Sequence, residues 1–175
     1  FNSEARRAIL WTREVLSPAG RTYLESLPDT PVVHGEVTLT HASPRHPIWE
    51  YILDTATARA NFTHFTTLYC FVGHTHVPVI FQWQAKEGQD SGVCRALAPT
   101  YDQPVALRGD HRLIINPGSV GQPRDSDPRA SYALFDTEAM AWHFRRVPYP
   151  VEVTQSRMRA VGLPERLINR LSFGW

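Results

Sequence analysis

Long hydrophobic runs are missing from this 175-residue chain. None approaches the ~20 apolar residues that a membrane-spanning helix requires, so no membrane association is expected. An excess of one charge sign is missing too: 18 basic and 17 acidic side chains leave a formal net charge of +1. No long-range field then points to nucleic acid or to an anionic membrane, and no nucleic-acid patch is evident. Cysteine is scarce. Cys70 and Cys94 are the two present, too few for a disulfide framework, and a reducing, cytoplasmic compartment is the expectation. Cys70, in the apolar run LYCFV, reads as a small buried residue. The start, FNSEARRAIL, has neither an initiator Met nor the basic, apolar and small-residue order of a signal peptide. No internal repeat, low-complexity stretch or linker occurs. The remainder is 42% apolar and 20% charged, which predicts one soluble globular domain over residues 1–175.

The expected class is mixed α and β. Asn2 or Ser3 can cap a helix through EARRAILWTREVL, where apolar residues recur at helical spacing. Ser17-Pro18 interrupts it, and AGRTYLESL predicts a second short helix. The next segment switches to period two: Val37, Leu39 and His41 share one strand face, Thr38 and Thr40 the other. In HPIWEYILDTATARANF, Ile48, Tyr51, Ile52 and Ala56 follow i, i+3, i+4, i+8, which predicts an amphipathic helix. LYCFVG then reads as a fully apolar strand. Strand, helix, strand makes a βαβ unit with parallel neighbouring strands. From Val77 to Val147 six short runs bounded by Gly, Pro, Asp and Asn resemble an antiparallel meander, with residues 86–91, KEGQDS, as an exposed hairpin turn. The end, VTQSRMRAVGLPERLINRL, returns to helix.

Chemistry concentrates in FVGHTHVPV, residues 71–79. In extended backbone His74 and His76 would point the same way, ~6.6 Å apart at Cα. Two metal ions sharing a bridging ligand stand about 3.5–4 Å apart, so an extended His-x-His can give one imidazole to each. The pair lies just past the carboxyl end of a strand, where open α/β sheets put their sites. His41 ends the preceding strand, so parallel pairing brings it close to the other two. Imidazole suits Zn, Fe, Ni and Cu, and Mn when mixed with carboxylates. The competing reading is that a histidine after a strand is a capped surface residue. His34, His46, His64, His111 and His143 have no partner pattern and are read that way.

NPGSVGQPRD, residues 116–125, follows the strand RLIIN and is trailed by Arg129. Such loops aim backbone N–H groups at an anion. Asn116 can hold a group near the metals and Arg124 can pair with a phosphate. A tight structural turn explains the Pro and Gly equally well.

Together, three blocks resemble the calcineurin-like metallophosphoesterases. FVGHTHVP resembles their last metal block, Gly-His-x-His. LTHASP resembles the block before it, and INPGSVGQPRDSDPRASYALFD is similar to a segment of one bacterial and archaeal branch of predicted phosphodiesterases. The resemblance implies a two-sheet β-sandwich flanked by helices, with two divalent metal ions (Mn, Fe, Zn or Ni) at one edge. It implies His76 on the first metal and His41 and His74 on the second. The bridged pair would activate water for in-line attack on phosphorus. Asn116, Arg124 and Arg45 are the substrate-binding candidates. The partner expected is a small phosphate ester, with homo-oligomerisation left open.

The family's earlier blocks, Asp-x-His, Gly-Asp-x-x-Asp and Gly-Asn-His-Asp/Glu, do not occur upstream of His41. GDHR at 109–112 follows Gly-His-x-His and reads as a hairpin turn. The expectation is therefore the C-terminal two-thirds of a metallophosphoesterase, inactive by itself, with half of the metal ligands supplied by an N-terminal segment. No catalytic acid or base is assignable. Two alternatives stand beside it: a non-catalytic binding module retaining the fold, and a mononuclear zinc hydrolase in which all three histidines meet one ion.

Overall fold

The computed structural model describes residues 2–85, 92–101 and 103–175; the turn expected at 86–91 lies outside them. Helices α1 (Ser3–Val15) and α2 (Pro18–Ser26) open the chain. Asn2 is the N-cap of α1, its Oδ1 accepting from Ala5 N at 2.8 Å. A hairpin follows, β1 (Val32–His34) and β2 (Val37–Leu39), turning at Gly35 with φ +56°. Helix α3 (Thr55–Asn61) precedes β3 (Tyr69–Phe71). Then come β4 (Val79–Ala85), β5 (Gly92–Leu97), β6 (Val105–Ala106), β7 (Arg112–Asn116), β8 (Ala130–Asp136) and β9 (Ala141–Val147). Helices α4 (Val151–Ala160) and α5 (Glu165–Asn169) close the chain, with a 3-10 turn at Arg170–Ser172.

The first sheet has the order β1-β2-β3-β7-β4-β5 and the second β6-β9-β8. β2 and β3 are parallel neighbours, as the βαβ reading requires. The meander reading needs correction. β7 pairs in parallel with β3 and antiparallel with β4, and β6, β8 and β9 leave for the second sheet. Local patterning marks where strands lie, but their partners are chosen by burial on both faces. Along β7, Leu113 and Ile115 face a core shared with Leu107, just past β6, and with Trp142 and Phe144 of the second sheet. Ile114 between them faces Phe62, Phe65, Cys70 and Phe81 on the α3 side. The central strands are apolar runs because both faces are covered.

The helix expected over 46–62 is short. Asp54 caps α3 by accepting from Thr57 N at 2.8 Å, so the helix begins only at Thr55. Residues 49–53 instead alternate: Trp49, Tyr51 and Leu53 are exposed, while Glu50 and Ile52 turn inward. Glu50 sets this arrangement. Its carboxylate accepts from Ser43 Oγ and Asn61 Nδ2, both at 2.7 Å, and from the Arg45 guanidinium. A helix through Glu50 would forfeit that network, so tertiary bonding overrides local periodicity.

Candidate metal centre

The carboxyl ends of β2, β3 and β7 sit side by side, and the segment after each contributes to one site. His41 follows β2, the Gly73–His76 turn follows β3, and β7 ends at Asn116. Gly73 N donates to His41 O at 2.8 Å, which fastens the first two segments. His41 Nε2 and His74 Nδ1 then face each other at 2.9 Å. The Tyr51 ring stacks on His74 with centroids 4.3 Å apart. A cleft of about 450 Å³, lined in part by Leu27, Leu39, His41, Phe71, Gly73 and Pro117, opens beside the pair.

The backbone here is not extended, which corrects the expectation for His-x-His. His74 has φ +63° and His76 φ +62°. Thr75 N donates to Gly73 O at 2.7 Å across His74. That i→i+2 bond around a positive φ is the pattern of the rare, strained γ-turn. Non-glycine residues in this region cost about 1–3 kcal/mol each and persist only where surrounding bonds over-determine them. Two of three consecutive residues, both imidazoles, thus carry backbone strain that the surrounding bonds must offset.

His76 Nδ1 lies 2.7 Å from Gln122 O. A carbonyl only accepts, so Nδ1 carries the hydrogen and Nε2 presents its lone pair. Arg124 N donates back to His76 O at 3.2 Å. Burial lowers the pKa of His76, and the positive Arg124 and Arg170 nearby add to that against the Gln122 bond. Burial, then His41 and His76, likewise lower that of His74. Both shifts favour neutral imidazole, the metal-binding form.

The remaining candidates are placed as follows. Arg124 is half-buried beside the site and directs Nε and Nη2 to Gln122 Oε1 at 3.2 and 2.8 Å. Its partner is a neutral amide, so its charge stays available to an anion. Arg45 forms an ion pair with Glu50. Asn116 is 1% exposed and its amide is bonded within the fold, to Gly73 O at 2.7 Å and Thr75 Oγ1 at 2.9 Å. Gly109, with φ +77°, sits in the turn between β6 and β7; the hairpin read from GDHR is not one, because these two strands belong to different sheets. Sequence reasoning passed over Thr75, Gln122 and Tyr51. Their roles come from the Thr75 hydroxyl, the Gln122 carbonyl and the Tyr51 ring contact, whose partners are set by the tertiary fold and not by sequence spacing.

The histidines fit a divalent ion. Two nitrogens on one metal at ~2.1 Å stand about 3–3.4 Å apart, close to the 2.9 Å between His41 and His74. Among the described residues, no group of three or more His, Cys, Asp or Glu is placed to share an ion. The three histidines thus form a pair and a neighbour, not the single convergent triad of a mononuclear site.

Residues 20–140 match the calcineurin-like phosphoesterase superfamily domain. An uncharacterized protein of Methanocaldococcus jannaschii is 34% identical over 99% of this chain and 68% of its own length. The crystal structure of a metallophosphoesterase from Sphaerobacter thermophilus superposes with a TM-score of 0.87 at 46% identity, covering 99% of this chain and 70% of that one. A hypothetical protein from Pyrococcus horikoshii shares the fold, with a TM-score of 0.73 at 21% identity over all of this chain and 62% of that one.

Proposed function

The chain belongs to the calcineurin-like phosphoesterase superfamily, and from that premise we propose that it forms part of a dinuclear metal centre for phosphate-ester hydrolysis. The observation that carries the reading is the 2.9 Å approach of His41 Nε2 to His74 Nδ1, with His76 Nε2 left bare by the bond at Nδ1. In this reading His41 and His74 hold the second ion and His76 the first. The likeness to the Sphaerobacter metallophosphoesterase supports it. The bound ions supply Lewis acidity toward water and the phosphoryl oxygens.

The chain's own residues do the rest. The half-buried His74 and His76, whose pKa values are lowered, bind metal as neutral imidazoles without first releasing a proton. The Gln122 carbonyl holds the His76 ring in one tautomer. Arg124 adds a fixed positive charge beside His76, where a phosphate would bring its negative charge. Carboxylate ligands are still required, and the reading takes them from an N-terminal segment outside the described residues. Monoesters and diesters are both substrates in this proposal; Mn, Fe, Zn and Ni are all suited to the donor set.

The test is turnover of p-nitrophenyl phosphate and bis-p-nitrophenyl phosphate by the full protein with each metal. We expect metal-dependent hydrolysis that His76→Ala abolishes and that Arg124→Ala weakens mainly through KM. Turnover by His76→Ala at the parent rate would sink the ligand assignment. A folded full protein that binds no metal and turns over neither ester would leave the competing reading, a binding module with this fold.

A further inference from the structure

Asn116 joins the two loops that fix His76. Its Nδ2 donates to Gly73 O at 2.7 Å and to Thr75 Oγ1 at 2.9 Å, on either side of His74. Its Oδ1 accepts from Gly118 N at 2.8 Å, which folds the start of the 117–122 loop. Both amide protons and the amide oxygen are therefore used. At 1% exposure, no solvent competes for them. Thr75 is buried too, at 3%, and its Oγ1 also accepts from Val77 N at 3.3 Å.

The second loop is seated as firmly. Ser131 Oγ donates to Pro117 O at 2.6 Å and Ser131 N to Ser119 O at 2.9 Å. Gly118, at φ +88°, lies so near that a Cβ there would meet Ser131 Oγ at 2.6 Å. Ser119 Oγ accepts from Gln122 N at 3.0 Å, and Gln122 O meets His76 Nδ1. One end of the His76–Gln122 bond hangs on the Thr75 clamp, the other on the turn at Gly118. Asn116 is bonded to both.

We propose that Asn116 is a positioning residue that locks the Gly73–His76 turn in its left-handed form and so fixes the His76 tautomer. This differs from a substrate-binding role: both amide protons are engaged within the fold and the side chain is buried. It rests on the metal-centre reading only for its consequence, the presentation of His76 Nε2. Without Asn116, Gly73 O keeps only its bond from Thr75 N, the γ-turn relaxes, and His76 Nδ1 swings off Gln122 O.

The test is made first on the metal-free protein. Imidazole ¹⁵N shifts above the histidine pKa should show His76 protonated at Nδ1 in the parent and a mixture of tautomers in Asn116→Ala. Mn²⁺ binding by titration should then weaken 10–100-fold, the range for losing a group that orients a metal ligand. Thr75→Val should follow the same direction, and Thr75→Ser, which keeps the hydroxyl, should restore parent values. A residue needed only for packing would lower the melting temperature and leave both readouts of the folded protein alone. That result in Asn116→Ala would overturn the proposal. If Asn116→Ala does not fold, the Thr75 pair decides: equal behaviour of Val and Ser overturns it. A protein that binds no metal would defeat the metal-centre reading, while the tautomer measurement would still test Asn116.

Discussion

Glu50 shows how single side chains build this site at a distance. Burial by itself would raise its pKa, but hydrogen bonds from Arg45, Asn61 and Ser43 overcome that and hold it at about 2. An unfolded glutamate titrates near ~4.3. The folded value is depressed, so the stabilisation is fully present above about pH 4.3 and is lost as pH falls toward 2. Glu50→Gln should cost about 2 kcal/mol at neutral pH, the worth of hydrogen bonds to a charged group, and should flatten the acid limb of a denaturation series. An unchanged acid limb would show that the network adds nothing. Residues of this kind were not legible in sequence, because an acidic side chain between Trp49 and Tyr51 reads as an exposed helix position. The approach of His41 to His74 was legible. Their spacing and their place after strands brought His41 and His74 together correctly, yet the spacing rule assumed extended backbone, and two positive φ values replaced it. Burial also pushes the Cys70 thiol up to about 12, in keeping with its reading as a small buried residue.

Among the elements, the short strands and the βαβ pairing followed from apolar runs and turn residues, whereas α3 did not keep its expected length. Asp54 decides where it begins: the carboxylate accepts from Thr57 N at 2.8 Å and from its hydroxyl at 3.0 Å. Asp54→Ala should cost about 1 kcal/mol, the usual loss for a removed N-cap, read as a lower urea midpoint at unchanged slope. At the other end Arg112, reaching from β7, donates to Phe62 O at 2.7 Å, Thr67 O at 3.2 Å and Phe65 O. It also lies 4.3 Å from the Phe65 ring centroid. One guanidinium thus closes the loop between α3 and β3. Nothing in RLIIN distinguishes that arginine from a surface charge, since its partners are carbonyls 45 to 50 residues away.

At the scale of the whole molecule, the described residues leave sheet edges unpaired: β1 and β5 bound one sheet, β6 and β8 the other. Leu134 on β8 is 53% exposed and Val33 on β1 63%. Beside them an apolar cleft of about 480 Å³ runs between the β1–β2 hairpin and Phe135 and Met140. Edges of this kind pair with other chains. Sedimentation of this 175-residue chain should therefore depend on concentration, and Leu134→Lys should reduce the association several-fold. Concentration-independent monomers would show the edge to be harmless. No helix among the described residues is long and apolar enough to cross a membrane. The central claim is that His41, His74 and His76 hold divalent metal, and elemental analysis of the full protein against His74→Ala tests it most directly. The account predicts close to two ions per chain in the parent, the stoichiometry of a dinuclear site, and at most one in the variant. Equal metal content in the two would contradict it.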